Sequence, residues 1–356
     1  MNNEIVIVIN PGSLSTKIAF FDRTHQLEMV NIEHSQQELD KFDRITGQVE
    51  FRYQAVLREV AAFLAHGLYT VAGIVGRGGI VRPLEGGTYR INEAFLRDAS
   101  SGKYGEHASN LGCLIADRLK DEFGLDNCYT VDPVSCSNIS DVAEISGVPG
   151  IIRSGRGHPL NIRMTARKIA RLQNIPFDES CYVVAHLGGG ISIALVEAGR
   201  LTDINDALLG MGPFSPNRAG ALPLRGVINL CRERGFEKAE VLLSKNSGLK
   251  AYLGTEDLRE VLKMVDNGDK QADLVYKAFV YQIAKEIGAC FAASKGKARA
   301  IIITGGIAYN DRFTADLKEY VGSLTEYYVY PGSNEMEALA EGIFRVIDGR
   351  EEAKEY

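Results

Sequence analysis

The sequence carries no surplus of basic charge. Its 40 Lys and Arg stand against 46 Asp and Glu, for a formal net charge of −6. That balance lacks the basic footprint of a protein whose main task is coating nucleic acid. No apolar run approaches the ~20 residues of a membrane helix. The opening Met1-Asn2-Asn3-Glu4 has no basic region ahead of its short apolar stretch. Neither a signal peptide nor a membrane partner is therefore expected, and the cytoplasm is the default compartment. The six cysteines, at 113, 128, 136, 181, 231 and 290, include no Cys-x-x-Cys pair. Several sit in apolar runs and read as buried thiols of a reducing compartment, not as disulfides or zinc ligands.

Several catalytic signatures are missing too. There is no Gly-x-x-x-x-Gly-Lys-Ser/Thr loop, no Gly-x-Gly-x-x-Gly opening a helix after the first apolar run, and no Gly-x-Ser-x-Gly elbow. A His-Arg-Asp loop and the spacing of a transition-metal site are also lacking. These absences count against a P-loop NTPase, a dehydrogenase, a serine hydrolase, a protein kinase and a zinc enzyme.

What remains is an ordinary folded composition over 356 residues, 45% hydrophobic and 24% charged, long enough for two or three domains. Short β-branched runs predict strands over 5–9, 17–21, 129–131, 182–185, 191–196, 300–304 and 327–330. Helical patterns cover 55–65, 107–122, 162–173, 223–234, 256–265, 270–293 and 335–347. Such alternation implies an α/β protein whose sheets are buried between helices. Gly147-Val148-Pro149-Gly150 breaks both element types and marks a domain boundary. The expected division is an N-terminal lobe of 1–147 closed by 332–356, and a C-terminal lobe of 148–331.

One plan occurs twice. The run from Ile5 to Ile9 leads through Asn10-Pro11-Gly12-Ser13 into a second strand carrying Lys17. Tyr182 to Ala185 leads through His186-Leu187-Gly188-Gly189-Gly190 into another. A tight turn without bulky side chains lets backbone N–H groups approach an anion. A third strand runs into Gly305-Gly306. Paired glycine hairpins in the two halves predict two related domains facing each other across a cleft.

The candidate residues gather at these breaks. Asn10, with Ser13 and Lys17 beside it, ends a strand where α/β folds bind ligands. Arg77, set among Gly76, Gly78 and Gly79, offers a forked anion grip, and Arg82 competes with it. Asp132 ends a strand and reads equally as a turn former and as the holder of an arginine or a metal-bound water. His158 opens a helix behind two glycines, in competition with a capping role. Arg218 lies at the centre of a long loop, of the kind usually kept for function. Gly305, Gly306 and Asn310 suit a base or ribose. Glu335 opens the last helix, as a cap or as an acid that orients hydrated Mg²⁺.

Together these segments resemble the acetate kinase family over nearly the whole chain. The specific parts are His158-Pro-Leu-Asn-Ile-Arg163, Gly212-Pro-Phe-Ser-Pro-Asn-Arg218 and Thr304-Gly-Gly-Ile-Ala-Tyr-Asn310. Asn10-Pro11-Gly12 and His186-Leu187-Gly188-Gly189-Gly190 depart from the acetate pattern. They favour the branch acting on butyrate and branched-chain acids. The resemblance implies two ribonuclease-H-like, actin-like ATPase domains flanking a nucleotide cleft. It implies ATP/ADP and Mg²⁺, a short-chain carboxylate or acyl phosphate as the other substrate, and a homo-oligomer. By resemblance, Asn10 and Glu335 position Mg²⁺, and Arg218 with Arg77 holds the phosphoryl group and the carboxylate. His158 stabilises the transition state and Asp132 orders the site. His186 with Gly188, Gly189 and Gly190 lines the phosphates, and Gly305, Gly306 and Asn310 lie near the adenosine. An actin-like scaffold that binds ATP without an acyl acceptor is the rival from another class.

Overall fold

The structure, a computed structural model, describes residues 3–136 and 139–356. The chain divides into two compact units, Met1–Cys136 with Asn334–Tyr356, and Ser137–Ser333. The segment after residue 138 is tied to the second unit ahead of the Gly147 break, because Ser140 N–H donates to Thr202 O.

The first unit holds strands β1 (Glu4–Pro11), β2 (Ser15–Phe21), β3 (Gln26–Glu33), β4 (Thr70–Gly76), β5 (Thr88–Arg90) and β6 (Tyr129–Val131). They form one sheet in the order β3-β2-β1-β4-β6-β5. β1 pairs antiparallel with β2 and parallel with β4. Its residues Ile5, Val6, Ile7, Val8 and Ile9 are all fully buried, since helices cover both faces. Helix Asn110–Glu122 packs on one side of β1 and β4, and helix Glu335–Ile347 packs on the same strands and β6. A strand covered on both faces reads as a continuous apolar run, which is what made β1 legible. Ala338, Leu339, Ile343 and Phe344 of the last helix belong to this interior.

The second unit holds β7 (Cys181–Leu187), β8 (Ile191–Glu197), β9 (Arg200–Ile204), β10 (Ala300–Gly305) and β11 (Glu326–Pro331), in the order β11-β10-β7-β8-β9. Along β7, Val183, Ala185 and Leu187 join the core under helix Lys270–Ala293. Tyr182 and Val184 join the core under helix Pro159–Leu172. This is the two-residue alternation of a strand between two layers. Read outward from the hairpin, β3-β2-β1-β4-β6 and β9-β8-β7-β10-β11 are the same arrangement: an antiparallel meander followed by parallel strands. The predicted repeat is thus present as a repeat of topology.

Every predicted strand and helix forms, with boundaries shifted by a few residues. The predicted helix over 55–65 starts earlier, at Val49. Strands β3, β4, β5 and β9 were not predicted. β3 is exposed along most of its length, so no alternation of buried residues marks it. β5 has only three residues. Helices Glu93–Ser101, Phe236–Lys245 and Asp311–Val321 were missed as well. Among the described residues, no helix is long and apolar enough to cross a membrane.

Candidate active site

In the first unit, three predicted residues from three segments meet. Asn10 lies near the end of β1, Arg77 directly after β4, and Glu335 at the start of the last helix. Asn10 Nδ2 donates to Glu335 Oε2 at 2.8 Å, and Arg77 Nη2 lies 3.5 Å from Glu335 Oε1. The side chain of Arg77 is only 6% exposed, yet its Nη1 is buried without a hydrogen-bond partner. An unmatched buried donor costs about 1–3 kcal/mol, which an anion at the site would recover. Arg82 is placed otherwise. Its guanidinium lies 4.0 Å from the Tyr356 ring centroid and 4.0 Å from Asp98 Oδ2.

His107, which the sequence reading passed over, shares this environment. Burial, then the neighbouring Arg77 guanidinium, lowers its pKa, while Glu335 acts in the opposite direction. Asp132, held at φ 40°, accepts from Gly87 N–H at 2.8 Å, and its own N–H donates to Gly87 O at 3.0 Å. It thereby ties the end of β6 to the residue ahead of β5.

The first hairpin turn is organised from behind. Arg52, on helix Val49–Leu64, is 1% exposed. It donates to Gly12 O at 2.8 Å, Ser13 O at 2.9 Å and Ser15 O at 2.9 Å, as well as to Thr16 Oγ1 and Gln48 Oε1. Gathering these carbonyls on one side fixes the conformation of the turn. Ser13 is exposed at its tip, and Lys17 on β2 faces outward. Arg52 occupies the apolar stripe formed by Val49, Tyr53, Val56, Val60 and Phe63. A charge within such a stripe was the available signal.

In the second unit, His158 and His186 stack with ring centroids 3.9 Å apart and planes 15° from parallel. His158 is the N-cap residue of helix Pro159–Leu172 but makes no side-chain capping bond there. Its Nδ1 lies 2.9 Å from Ser192 Oγ on β8. His186, on β7, has its Nδ1 2.7 Å from Asn161 Nδ2.

The turn at Gly188, Gly189 and Gly190 joins β7 to β8. A Cβ built on Gly189 would meet nothing within 4 Å, whereas one on Gly190 would strike Arg218 Nη1 at 2.2 Å. Arg218 is therefore packed against the turn. Its Nη1 donates to Ala207 O at 2.7 Å, its Nε is buried without a partner, and burial lowers its pKa. Ser215 Oγ, from the same loop, donates to Gly189 O at 2.7 Å.

Several expectations change in meaning. The glycines beside Arg77 do not mark open backbone. A Cβ on Gly76 would strike Gly112 O at 2.1 Å and one on Gly79 would strike Asn110 Oδ1 at 2.1 Å, so they admit the start of helix Asn110–Glu122. Gly157 likewise makes room for Ser192 Oγ and Ile204. Gly305, at φ 90°, packs on Leu187, while a Cβ on Gly306 would meet nothing. Asn310 Oδ1 caps helix Asp311–Val321 by accepting from Phe313 N–H at 2.9 Å.

Comparison with known proteins follows the same lines. The model of the Acetokinase family matches residues 149–326. A protein named probable butyrate kinase from Listeria monocytogenes is 41% identical over 353 residues, covering 99% of each chain. One of the same name from Clostridium botulinum is 39% identical over 353 residues, again covering 99% of each. Among solved structures, the acetate kinase of Porphyromonas gingivalis aligns over 96% of this chain and 99% of its own, with a TM-score of 0.77 at 18% identity. At that identity the likeness establishes the fold, and the two α/β units described above are those of the acetate kinase fold.

Proposed function

The chain belongs to the acetokinase family, and we propose that it is a carboxylate kinase transferring a phosphoryl group reversibly between ATP and butyrate, giving butyryl phosphate and ADP. The choice of butyrate rests on the names of its full-length relatives. The observation that carries the chemistry is where two buried guanidiniums with an unmatched nitrogen stand, Arg77 beside Glu335 and Asn10 in the first unit and Arg218 against the glycine turn in the second.

A short fatty acid is already ionised at neutral pH, because carboxyl pKa values lie around 4–5. Its attack on the γ-phosphate needs no general base. The barrier is the approach of one anion to another. Arg77 and Arg218 supply fixed positive charge to the phosphoryl group and the carboxylate, and His158 donates to the transferring oxygens. His186 and the turn at 188–190 serve the phosphate chain, with Gly305, Gly306 and Asn310 toward the adenosine. Asp132 keeps its loop in register.

The side-chain oxygens of Asn10 and Glu335 are hard donors of the kind hydrated Mg²⁺ takes. Among the described residues there is no group of three His, Cys, Asp or Glu that could hold a metal ion. When bound, Mg²⁺ supplies charge neutralisation on the β- and γ-phosphates.

The reaction belongs in the cytoplasm, where ATP is available and the six cysteines, none of them in a disulfide, stay reduced. We further propose a homo-oligomer in which a second copy covers helix Leu224–Arg234 of the second unit, which buries none of its residues and leaves Leu224 80% exposed.

The test incubates protein, ATP and Mg²⁺ with each C2–C5 acid and hydroxylamine. Acyl hydroxamate from butyrate is expected. No hydroxamate from any acid refutes the reading, and a preference for acetate or a branched acid refutes the choice of butyrate. Arg77→Ala and Arg218→Ala, made separately, should each lower turnover by ~10³-fold or more. A loss under about tenfold in either folded variant removes that arginine from the mechanism.

A further inference from the structure

The stacked histidines differ in what holds them. His186 Nδ1 meets an amide nitrogen, Asn161 Nδ2, at 2.7 Å. The orientation of that amide is set by its surroundings. Nδ2 lies 3.2 Å from Gly332 O, a carbonyl that can only accept. Thr304 Oγ1 spends its proton on the same carbonyl at 3.1 Å and so turns a lone pair toward Nδ2 at 3.3 Å. On its other side, Thr165 Oγ1 donates to the backbone carbonyl of Asn161 at 2.8 Å and lies 3.3 Å from Oδ1, so the Gly332 carbonyl is what sets the amide. A flipped amide would set oxygen against oxygen at Gly332. Asn161 is 0% exposed, as are Thr165 and Thr304, so water cannot substitute for these partners.

An amide N–H can only donate, so His186 Nδ1 must accept. An imidazole whose Nδ1 accepts carries its single proton on Nε2, and it is neutral. The Nε2 of His186 lies 3.5 Å from where a Cβ on Gly188 would stand, beside the glycine turn. His158 is held differently. Its partner, Ser192 Oγ, is a hydroxyl that donates or accepts with equal ease, so the bond persists whichever state His158 Nδ1 adopts. Ser192 is itself 0% exposed, and the absence of a side chain on Gly157 is what lets it approach.

We propose that Asn161 is a positioning residue that locks His186 as the neutral Nε2–H tautomer. His186 thereby carries its proton on Nε2, the nitrogen beside the turn, whereas the Ser192 hydroxyl facing His158 Nδ1 imposes no tautomer on that ring. The tautomer follows from the hydrogen bonds alone. Its importance for turnover rests on the carboxylate-kinase reading.

The experiment is ¹⁵N–¹H correlation of the imidazole rings in uniformly ¹⁵N-labelled full-length protein. The chain has six histidines, and the His186→Gln variant identifies the signals of that ring. The expected spectrum shows His186 protonated at Nε2 only. A His186 protonated at Nδ1, alone or together with Nε2, overturns the proposal. In Asn161→Asp the facing group can only accept, so Nδ1 should gain a proton. kcat should fall about tenfold or more, with a smaller change in the KM for ATP. If Nδ1 is protonated in that variant and kcat stays within twofold of wild type, the positioning role is refuted. Should Asn161→Asp not fold, Asn161→Ala supplies the turnover comparison, and the wild-type spectrum still decides the tautomer. Because that spectrum needs no turnover, failure of the hydroxamate assay and failure of this proposal are separate results.

Discussion

Arg52 should be the most consequential single residue outside the anion-binding groups. It is a guanidinium at 1% exposure whose hydrogen-bond partners are all neutral. Burial lowers its pKa to about 10, so it is charged at neutral pH. Replacing it with Met keeps much of the volume and removes every donor. The carbonyls of Gly12, Ser13 and Ser15 then turn to water, while Thr16 Oγ1 and Gln48 Oε1 lose a charged donor inside the protein. Each buried acceptor left without its donor costs about 1–3 kcal/mol, so these two together cost ~2–6 kcal/mol. At about 2–4 °C per kcal/mol for domains of 150–250 residues, the first unit should melt roughly 4–24 °C lower. Thermal denaturation followed by circular dichroism measures this, and kinase assays below both transitions should show a raised KM for ATP, because the first hairpin turn loses its template. Arg52→Lys, with one nitrogen in place of three, should fall between. An Arg52→Met protein that melts within about 1 °C of wild type with unchanged KM would refute the account of how this turn is held.

Two further outcomes follow from neighbouring glycines and from two histidines. Gly189→Ala adds a methyl where nothing lies within 4 Å, so its melting point should hold while the KM for ATP rises several-fold. Gly190→Ala drives into Arg218 Nη1 and should lower kcat instead; equal kinetics in the two variants would contradict the assignment of the turn. Burial lowers the pKa of both His34 and His107, each beside an arginine. The unfolded chain takes up these protons below pH 6.5 while the folded chain resists. Stability should therefore be full above that pH and fall below it by up to ~1.4 kcal/mol per pH unit for each histidine. Melting curves at pH 7.5 and 5.5 check this, and His34→Gln with His107→Gln should flatten the dependence.

Much of this was legible because the central strands are buried on both faces. Ile5 to Ile9, Tyr182 to Ala185 and Ala300 to Thr304 are continuous apolar runs that end in small or polar residues, and candidate site residues stand at those ends. The edge strand β3 escaped notice because exposure on both faces leaves it without a pattern. Partners distant in sequence were equally hidden. Nothing local relates Asn10 to Glu335, Asn161 to Gly332 or Arg52 to Ser13; these pairs exist only once the sheet and helices are assembled. Glycines misled in a systematic way. A glycine that admits a helix, as Gly76 and Gly79 do, looks in sequence like one that admits a ligand, as Gly189 and Gly306 are placed to do. Only the distance from a virtual Cβ to its neighbours separates the two.

The repeated topology explains why the two units carry different chemistry at matching places. Asn10 stands two residues before Gly12 at the end of β1, and His186 stands two residues before Gly188 at the end of β7. The strand parallel to each, β4 or β10, is followed by Arg77 or ends in Gly305 with Gly306 next. In the first unit these slots hold an amide, a carboxylate drawn from the last helix, and a buried cation, a set suited to a metal-bound phosphate and a carboxylate. In the second they hold an imidazole and open backbone, suited to a phosphate chain. The supports diverge in step. The first turn is gripped from behind by Arg52 through its carbonyls, while the second has Arg218 against Gly190 and Ser215 on the carbonyl of Gly189. On the carboxylate-kinase reading, one scaffold has its slots filled by residues of different hydrogen-bonding character in each unit, and the specialisation lies in side chains at strand ends rather than in the strands themselves.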